Sequence, residues 1–431
     1  MRTLDDVKAN PEAFLKQMAQ AAIDAADPLK VLPAHLPPAP KNGRIIVIGA
    51  GKASAAMARA VEQSWPAADI EGIIVTRYDY GVKTDKIKII EAAHPVPDDA
   101  GAAACEEIVK LAQSAGKDDL VLCLISGGGS ALLSAPAPCL GAQEKRDLNK
   151  QLLRPGANIH EINCLRKHLS AVKGGKLALA AYPARMITLV ISDVPGDDPA
   201  TVASGPTLPD PTTQEQARAV IEKYKLDVSP AVMAWLNDPA NETPKADDKR
   251  FENTQIKIIS SARDALDAAT TFARALGVEL VDLGDDLEGE AREVARAHID
   301  LAQAYKGQKP RVYISGGETT VTMNANELTN GRANGRGGRN GEYMLAAMIA
   351  AQSAENLYGI AVDTDGIDGS EENAGAIFTP LTFQDAQDKQ INPRDILQNN
   401  DSYSLFEATD SLVITGPTFT NVNDFRAILV L

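Results

Sequence analysis

The segment Gly331–Gly341 (GRANGRGGRNG) contains five glycines and three arginines in a chain whose formal net charge is −15. Glycine allows positive φ and close approach of the backbone, so successive N–H groups can face an anion. Arg336 and Arg339 lie three residues apart and could both reach one phosphate or carboxylate with forked hydrogen bonds. The helix-forming run EYMLAAMIAA follows at once and places Arg339 and Asn340 at a helix N-terminus, where anions are favoured. The pattern predicts an anion site, and a solvated loop that uses arginine for solubility is the alternative.

A second glycine-containing turn, GAGKAS, directly follows the strand-like run RIIVIG. Gly49 and Gly51 would let the backbone approach a phosphate, and the next helical run is predicted over residues 53–64. The match to the dinucleotide fingerprint is weak, because Ser54 stands where a third glycine or alanine is expected and the second strand ends without an acidic residue. Lys52 is the unusual residue, since a lysine in such a turn can place its ammonium group on a transferring phosphoryl group. A surface lysine at a helix start is the alternative interpretation.

Two further strand-like runs end in loops of small residues, SGGGS after LVLCLIS and SGGET after RVYIS. Such loops let the backbone come close to an anion and leave hydroxyl groups free to bond it. Either loop alone is weak, because glycine-rich turns after strands are common in α/β proteins, but together with GAGK they favour a ligand site. Their candidate binding residues are Ser126, Gly127, Gly128, Gly129, Ser130, Ser315, Gly316, Gly317 and Glu318.

Carboxylates follow two of the other strand-like runs. Asp193 leaves a buried-strand pattern in SDVPGDD, and its carboxylate could bind Mg²⁺ or accept the proton of a substrate hydroxyl. Asp197 and Asp198 fit turn formation better. The run DTDGIDG, which begins at Asp363, superficially resembles a calcium loop, but its twelfth position is Ala374 instead of glutamate. An EF-hand is therefore rejected, and a role of this run in magnesium or nucleotide binding stays open.

One segment, NCLRKHLSAVKGGK, concentrates positive charge in this acidic chain. Its five cationic or potentially cationic side chains are Arg166, Lys167, His168, Lys173 and Lys176. Such a concentration fits a small polyanionic substrate better than a nucleic acid. We predict Arg166 and Lys173 as ligand contacts, while some of the others fit a solvated helix face. His94 and His168 do not indicate a hydrolase triad, because the chain lacks a matching serine or cysteine elbow.

Length and composition restrict the class of protein. A chain of 431 residues with 44% hydrophobic residues can bury a large core and is expected to form two or three domains. Its net charge of −15 leaves no broad basic face for a nucleic acid. The N-terminal sequence shows no signal pattern, no apolar run reaches membrane length, and the four cysteines show no CxxC spacing. We therefore expect a cytoplasmic protein with no nucleic-acid or membrane partner.

Strand-like and helical runs alternate along the chain, which predicts an α/β fold with a mostly parallel sheet. The predicted strands are residues 44–49, 70–77, 120–126, 186–192, 256–260, 278–283, 312–317 and 358–366. Ligands of open α/β sheets collect beyond the carboxyl ends of strands, which is where the motifs lie. The polar, proline-marked stretch 238–254 predicts a domain boundary. It separates a Rossmann-like, doubly wound first domain (residues 1–250) from a C-terminal α/β domain (residues 251–431) that carries the GRGGRNG loop.

Taken together, the motifs resemble those of the class II glycerate 2-kinases, a family in which some members carry the label hydroxypyruvate reductase. The similarity covers nearly the whole chain and includes GAGKAS, HPVPD, SGGGSALL, NCLRKHLSAVKGGKLA, SDVPGDD, SGGETTV, GRGGRNGEYMLAA, DTDGIDG and TGPTFTNVND. The resemblance implies a two-domain α/β enzyme that moves the γ-phosphoryl group of ATP to the 2-hydroxyl of D-glycerate, with its active site in the cleft between the domains. It also implies that Lys52 and Arg339 are the essential cations and Asp193 the acidic residue. One departure is Gly341, where the family usually has glutamine.

The residues by themselves agree with a kinase, because phosphoryl transfer needs chiefly positioning and charge neutralisation. Lys52 with Arg336 or Arg339 would neutralise the transferring group, and Asp193 would orient the hydroxyl or hold Mg²⁺. ATP, D-glycerate and Mg²⁺ are thus the expected small-molecule partners, and a homodimer stays open. Two alternatives remain: an NAD(P)H-dependent hydroxypyruvate reductase, which GAGKAS keeps open, and a non-catalytic protein that binds a sugar acid or phosphosugar. The binding protein gives no reason for a lysine and an arginine on separate domains.

Overall fold

The computed structural model of the protein describes residues 3–152, 157–323, 335–352 and 354–431. Its α-helices are α1 (Leu4–Ala9), α2 (Pro11–Asp24), α3 (Pro28–Val31), α4 (Ser54–Ser64), α5 (Asp99–Gln113), α6 (Gly129–Leu132), α7 (Ala142–Leu152), α8 (Ile159–His168), α9 (Lys176–Ala181), α10 (Gln214–Tyr224), α11 (Pro230–Asn237), α12 (Ala262–Ala275), α13 (Ala291–Ala304), α14 (Arg339–Ala351), α15 (Thr382–Asp388), α16 (Pro393–Gln398) and α17 (Ser402–Ala408). Its strands are β1 (Ile45–Ala50), β2 (Ile70–Arg77), β3 (Ile87–Ala92), β4 (Leu120–Ile125), β5 (Arg185–Ile191), β6 (Thr254–Ser260), β7 (Glu279–Asp282), β8 (Glu288–Glu290), β9 (Arg311–Ser315), β10 (Glu318–Thr320), β11 (Leu357–Asp363), β12 (Gly375–Phe378), β13 (Leu412–Val413) and β14 (Asp424–Val430).

The chain packs as two compact units. The parallel-sheet unit is Val31–Ile259, and the mixed-sheet unit combines Met1–Lys30 with Ser260–Leu431. This division differs from the predicted boundary between residues 250 and 251, because the N-terminal helices pack with the C-terminal part of the chain. The polar stretch 238–254 belongs to the parallel-sheet unit, where Thr243 is buried and Phe251 packs against the core.

The parallel-sheet unit contains six strands in the order β3-β2-β1-β4-β5-β6. Strand β1 pairs in parallel with β2 on one side and with β4 on the other, so the strand order reverses between β1 and β4. Both strands, IIVIGA and LVLCLI, are buried along their whole length, as expected for a parallel sheet covered on both faces. The loops after β1 and β4 therefore leave the same edge of the sheet at its reversal point, where open α/β sheets bind ligands. This confirms the predicted Rossmann-like, doubly wound domain.

The mixed-sheet unit contains a second six-stranded sheet in the order β13-β12-β11-β14-β9-β7. Its last strand, β14, is fully buried and pairs antiparallel with both β11 and β9. The pairing places Asp363, at the end of β11, opposite Asp424, at the start of β14. Helix α14 is buried over most of its length and packs against α13 and β11. The first residue of this helix, Arg339, is therefore held by elements of the core.

Helix α2 explains why Met1–Lys30 belongs to the mixed-sheet unit. Its residues Phe14, Leu15 and Met18 are fully buried, and the helix packs against α12, β11 and β14. Phe14 also stacks on Phe272 of α12, with the ring centroids 6.0 Å apart. Burying an aromatic side chain of this size stabilises a domain by several times the energy of a typical surface contact.

We expect Phe14→Ala to lower the free energy of unfolding of the mixed-sheet unit by about 3–5 kcal/mol, the usual cost of truncating a buried phenylalanine. Urea denaturation followed by circular dichroism measures this change. Lys16→Ala is the control, because Lys16 lies on the exposed side of the same helix. Equal stability of the two variants would contradict the packing of α2 on α12.

Candidate active site

The loops after β1 and β4 are bonded directly to each other. The N–H of Lys52 donates to the carbonyl of Gly127 at 2.9 Å, and the N–H of Ala53 donates to Ser126 Oγ at 2.9 Å. The N–H of Ser126 completes the connection by donating to the carbonyl of Ala50 at 3.3 Å. The GAGK and SGGGS motifs thus form one continuous surface at the reversal point of the sheet.

Several of the predicted binding residues in these loops hold the loops together. Ser54 and Ser126 are fully buried, and Ser54 Oγ donates to the carbonyl of Leu124 at 3.0 Å. Gly51 has a φ of +145°, and a Cβ at this position would overlap the Ser126 hydroxyl. Gly49, with a φ of +149°, lies equally close to the backbone of Leu124. These residues therefore shape the loops through close packing, and the two hydroxyl groups bond to the protein.

Lys52 and Asp193 lie on loops that leave the same edge of the sheet. Lys52 is half-buried between β1 and α4, and its Cγ lies 3.6 Å from where a Cβ on Gly128 would stand. Asp193, also half-buried, follows β5, which pairs in parallel with β4. One sheet edge therefore carries a lysine, a glycine-rich loop and a carboxylate, the groups that phosphoryl transfer uses for neutralisation and for orienting the acceptor.

A cavity of about 270 Å³ opens beside the SGGGS loop, and we call it the cationic pocket. Lys145, Arg166 and Lys173 line it together with Gly128 and Ser130. Lys173 Nζ donates to the carbonyl of Ser130 at 2.7 Å and lies 3.2 Å from its Oγ. The pocket is thus attached to the loop that contacts Lys52.

The three cations of this pocket are held without a counter-charge. Among the described residues, none of the three forms an ion pair with a carboxylate, and Lys173 is only 4% exposed. Burial, with a smaller contribution from Lys145 and Arg166, lowers the pKa of Lys173 to about 7. Burial likewise lowers the pKa of Lys145 to about 8 and lowers that of Arg166. An anion in the pocket would remove this electrostatic cost.

Arg166 and Lys173 were predicted from the sequence, whereas Lys145 was missed. Lys145 lies in the polar run AQEKRDLNKQL of α7, which has the composition of an ordinary surface helix. The other cations near Lys173 bond elsewhere: Lys167 Nζ lies 3.5 Å from Asp210, and the buried ring of His168 lies 3.0 Å from Glu242.

Arg339 is surrounded by carboxylates of its own unit. Its Nε lies 3.0 Å from both oxygens of Asp424, its Nη2 lies 2.9 Å from Asp363, and its Nη1 lies 2.6 Å from Glu318. The guanidinium is three-quarters buried and the Asp424 side chain is fully buried. The predicted open anion site around Arg339 is therefore occupied by the protein's own anions in this structure.

The N-terminus of α14 also carries a carboxylate from the protein. Asp368 accepts hydrogen bonds from the N–H groups of Asn340 at 2.9 Å and Gly341 at 2.7 Å, and burial raises its pKa to about 6. The side chain of Asn340 is fully buried and donates to Asp424 at 2.8 Å. A Cβ on Gly341 would lie 2.6 Å from Ser402 Oγ, so a glutamine here, as the family usually has, would require the Ser402 hydroxyl to move.

The SGGET loop is bonded to a buried arginine that the sequence did not single out. Arg426 on β14 is fully buried, and its Nη atoms donate to the carbonyls of Gly316 at 2.7 Å and Gly317 at 3.3 Å. The N–H of Gly316 donates to a backbone carbonyl, and Ser315 is only 1% exposed. The N–H of Gly316 and the carbonyls of both glycines are thus bonded within the unit, while the exposed Glu318 pairs with Arg339.

Arg336 lies at the surface of the mixed-sheet unit. It pairs with Glu371 at 2.9 Å and Glu407 at 3.5 Å, and its guanidinium lies 4.1 Å from the ring centroid of Tyr403. The earlier part of the predicted anion loop, including Arg332, lies outside the described residues.

No three His, Cys, Asp or Glu side chains are placed to hold a metal ion within the part of the chain that the structure describes. Over the same ranges, no helix combines the length and apolar composition needed to cross a membrane.

Comparisons with known proteins find relatives that cover nearly the whole chain. Residues 14–237 match the model described as a domain of unknown function, DUF4147, and residues 311–424 match that of the MOFRL family. A protein of Agrobacterium vitis, provisionally named hydroxypyruvate reductase, is 48% identical over 433 residues, which cover 99% of this chain and 96% of the relative. The D-glycerate 2-kinase of Thermotoga maritima is 35% identical over 96% of this chain and 98% of its own. A crystal structure of glycerate kinase from Thermotoga maritima aligns with a TM-score of 0.86 and 34% identity, over 98% of this chain and 100% of that one.

The doubly wound sheet, the loops at its reversal point and the two matched models define a protein of the DUF4147 and MOFRL class. The full-length similarity to named kinases goes one step further: the chain belongs to the glycerate 2-kinase family. This confirms the resemblance that the sequence motifs indicate.

We expect the stability of the parallel-sheet unit to rise between pH 7 and pH 9, because folding lowers the pKa of Lys173 and the unfolded chain then binds more protons. Lys173→Met should flatten this rise by up to roughly 1.4 kcal/mol per pH unit, the value for one proton. Urea denaturation at several pH values measures the slope. Lys110→Met, at an exposed lysine of the same unit, is the control. If the free energy of unfolding changes with pH equally in the wild type and in Lys173→Met, the pKa of Lys173 is not lowered by folding.

Arg339→Lys should destabilise the mixed-sheet unit by about 3 kcal/mol, because one ammonium group cannot replace a planar fork among three carboxylates. Thermal and urea unfolding measure the loss. The matched control is Arg336→Lys in the same loop, where the ion pairs are exposed and the loss should stay below about 1 kcal/mol. If Arg339→Lys unfolds like the wild type, the guanidinium is not needed to stabilise the three carboxylates around it.

Proposed function

We propose that this enzyme transfers the γ-phosphoryl group of ATP to the 2-hydroxyl of D-glycerate and releases 2-phosphoglycerate. The observation that carries the proposal is the position of Lys52, in the turn after β1 and bonded through its N–H to the SGGGS loop. The loop after the strand next to β4 adds a carboxylate, Asp193. The Thermotoga maritima relative, named D-glycerate 2-kinase, supports the choice of substrate.

Phosphoryl transfer passes through a loose transition state with charge spread over the equatorial oxygens, so catalysis depends mainly on positioning and on neutralisation. Lys52 supplies a mobile ammonium group for the transferring phosphoryl group. Gly127 and Gly128 let the backbone stand close to the phosphates. Asp193 accepts a hydrogen bond from the 2-hydroxyl of the acid, orients it for attack and receives its proton.

Mg²⁺ fits this site as a nucleotide-bound ion. In kinases Mg²⁺ is commonly held by one or two carboxylates together with substrate phosphates, and it then neutralises phosphate charge. The lack of a three-residue metal cluster among the described residues is compatible with that mode. Asp193 would join the phosphates in holding the ion only in place of its role at the 2-hydroxyl, because a metal-bound carboxylate is a poor acceptor for the hydroxyl proton.

Arg339 is the second cation that we propose to be essential for activity. Of its three carboxylate partners, Glu318 has the most exposed side chain, at 49%, so a phosphate would most readily replace this one. The other ligand contacts predicted on this unit stay predictions, and so do a cytoplasmic location and a homodimer.

The reductase alternative, which the GAGKAS turn keeps open, is also the provisional name of the Agrobacterium vitis relative. One pair of assays separates the two functions. The protein is incubated with D-glycerate, Mg²⁺ and ATP while ADP release is followed, and separately with hydroxypyruvate and NADH while absorbance is followed. ADP release that depends on D-glycerate supports the kinase, whereas NADH oxidation without ADP release disproves it.

In the ADP-release assay we expect Lys52→Ala to reduce kcat by about a thousandfold, the scale for removing a cationic group from the transition state of phosphoryl transfer. Its thermal unfolding should stay close to that of the wild type. The control is Lys88→Ala, at a lysine that is 56% exposed on β3 of the same sheet. A folded Lys52→Ala enzyme with wild-type kcat would remove Lys52 from the mechanism.

A further inference from the structure

The cationic pocket is lined by two chemically different sets of side chains. The polar set, called here the polar wall, consists of Lys145, Arg166 and Lys173 with Ser130 of the glycine-rich loop. The apolar set, called here the aliphatic wall, includes Leu140, Leu148, Leu152, Leu165, Leu169 and Pro97. A ligand that satisfies both walls must itself combine negative charge with a sizeable apolar surface.

The polar wall calls for an anion. Lys173 is almost completely buried, and Lys145 Nζ and Lys173 Nζ donate to neutral oxygens of Ser134 and Ser130. Holding three cations together in a partly desolvated cavity without a carboxylate is unfavourable unless a ligand supplies the opposite charge. A polyphosphate offers several charged oxygens and could reach all three groups at once.

The aliphatic wall distinguishes between the two substrates of the reaction. D-Glycerate has three carbons, each bearing oxygen, and therefore offers no apolar surface for a wall of leucines. At about 270 Å³ the pocket approaches the ~300–1,000 Å³ of sites that hold drug-sized ligands. A purine ring has the flat, largely apolar faces that such a wall can cover.

The position of the pocket connects it to the reacting centre. Gly128 lines the pocket, and the Cγ of Lys52 lies 3.6 Å from the point where a Cβ on Gly128 would stand. A phosphate chain that begins at the pocket cations would therefore run along the SGGGS loop toward the Lys52 ammonium group.

We propose that the cationic pocket of the parallel-sheet unit is the nucleotide site, with the purine against the leucines and the phosphates at Lys145, Arg166 and Lys173. This inference rests on the proposed kinase function and deepens it by assigning the nucleotide to one unit. It also adds Lys145 and the aliphatic wall to the proposed ligand contacts.

The test measures binding without turnover, by isothermal titration calorimetry of the full-length protein. The probes are the non-hydrolysable nucleotide AMP-PNP, inorganic tripolyphosphate and D-glycerate. Lys145→Met should weaken AMP-PNP and tripolyphosphate by about tenfold to a hundredfold, the range for losing one charge-assisted hydrogen bond. Arg166→Met is the second cation variant, and it should act in the same direction.

The contact between the nucleotide and the aliphatic wall is tested separately. Leu148→Ala should weaken the binding of AMP-PNP several-fold and leave the affinity for tripolyphosphate unchanged. Only the nucleotide has a purine ring that would lose its contact with Leu148. Lys150→Met is the matched control for charge, since Lys150 is exposed on the same helix as Lys145 and does not line the pocket. The affinity for D-glycerate should change by less than about twofold in each variant.

Two results would overturn the inference: an unchanged affinity for AMP-PNP in both cation variants, or a selective loss of D-glycerate binding. Its failure is distinguishable from failure of the proposed function. If the wild type releases no ADP with D-glycerate but binds AMP-PNP through Lys145, the function is wrong and the nucleotide site stands. If ADP release is normal while both cation variants bind AMP-PNP like the wild type, the function stands and the site is wrong.

Discussion

Burying a guanidinium or ammonium group away from water costs several kilocalories per mole unless an opposite charge or a hydrogen-bond acceptor lies close by. In the mixed-sheet unit this requirement is met internally, because Asp424 lies within hydrogen-bonding distance of both Arg339 and Arg426. The carbonyls of the SGGET loop complete the bonding of Arg426. The loop after β9, the start of α14 and the first residue of β14 are thereby tied into one charged cluster.

In the parallel-sheet unit the same requirement is only partly met. Lys173 and Lys145 donate hydrogen bonds to neutral oxygens, and burial lowers the pKa of both lysines. Glycine-rich loops can accompany either condition, since both SGGGS and SGGET follow buried strands. The two loops therefore differ in the balance of charge around them: the groups beside SGGET are neutralised within the protein, and the cations beside SGGGS have no carboxylate partner among the described residues.

Eight strands were predictable from the sequence, because hydrophobic runs bounded by small residues indicate strands, and the predicted runs correspond to β1, β2, β4, β5, β6, β7, β9 and β11. Strands β3, β12 and β14 were not predicted, although β14 is fully buried and pairs with both β11 and β9. The run Ile70–Arg77 is observed as predicted, and the end of β1 lies one residue beyond its predicted position. The partners of these elements were not predictable. Arg339 and Asp424 are 85 residues apart in the sequence. The residues that neighbour Arg339 in the sequence therefore do not indicate that its guanidinium pairs with a carboxylate. Lys145 was missed for a related reason: its local sequence is that of a surface helix, and only tertiary packing turns it toward a cavity.

The packing partner of the N-terminal helices was not predictable from the sequence either. An amphipathic helix shows which of its faces will be buried, but not which sheet will bury it. Phe14 on α2 meets Phe272 on α12 across most of the chain. The polar composition near residue 250 predicts a domain boundary there, but it does not show that the N-terminal helices pack with the C-terminal part of the chain.

The membership of both chain ends in one unit has a consequence for synthesis on the ribosome. Helix α2 leaves the ribosome early, but β14, the strand it packs against, is made about 400 residues later, which takes tens of seconds at roughly 5–20 residues per second. Val31–Ile259 is completed within that interval and can fold before β14 is made, whereas α2 carries an uncovered apolar face until then. The newborn chain therefore passes through a long stage in which the apolar face of α2 is open to chaperones, and the mixed-sheet unit can be completed only after β14 has emerged from the ribosome.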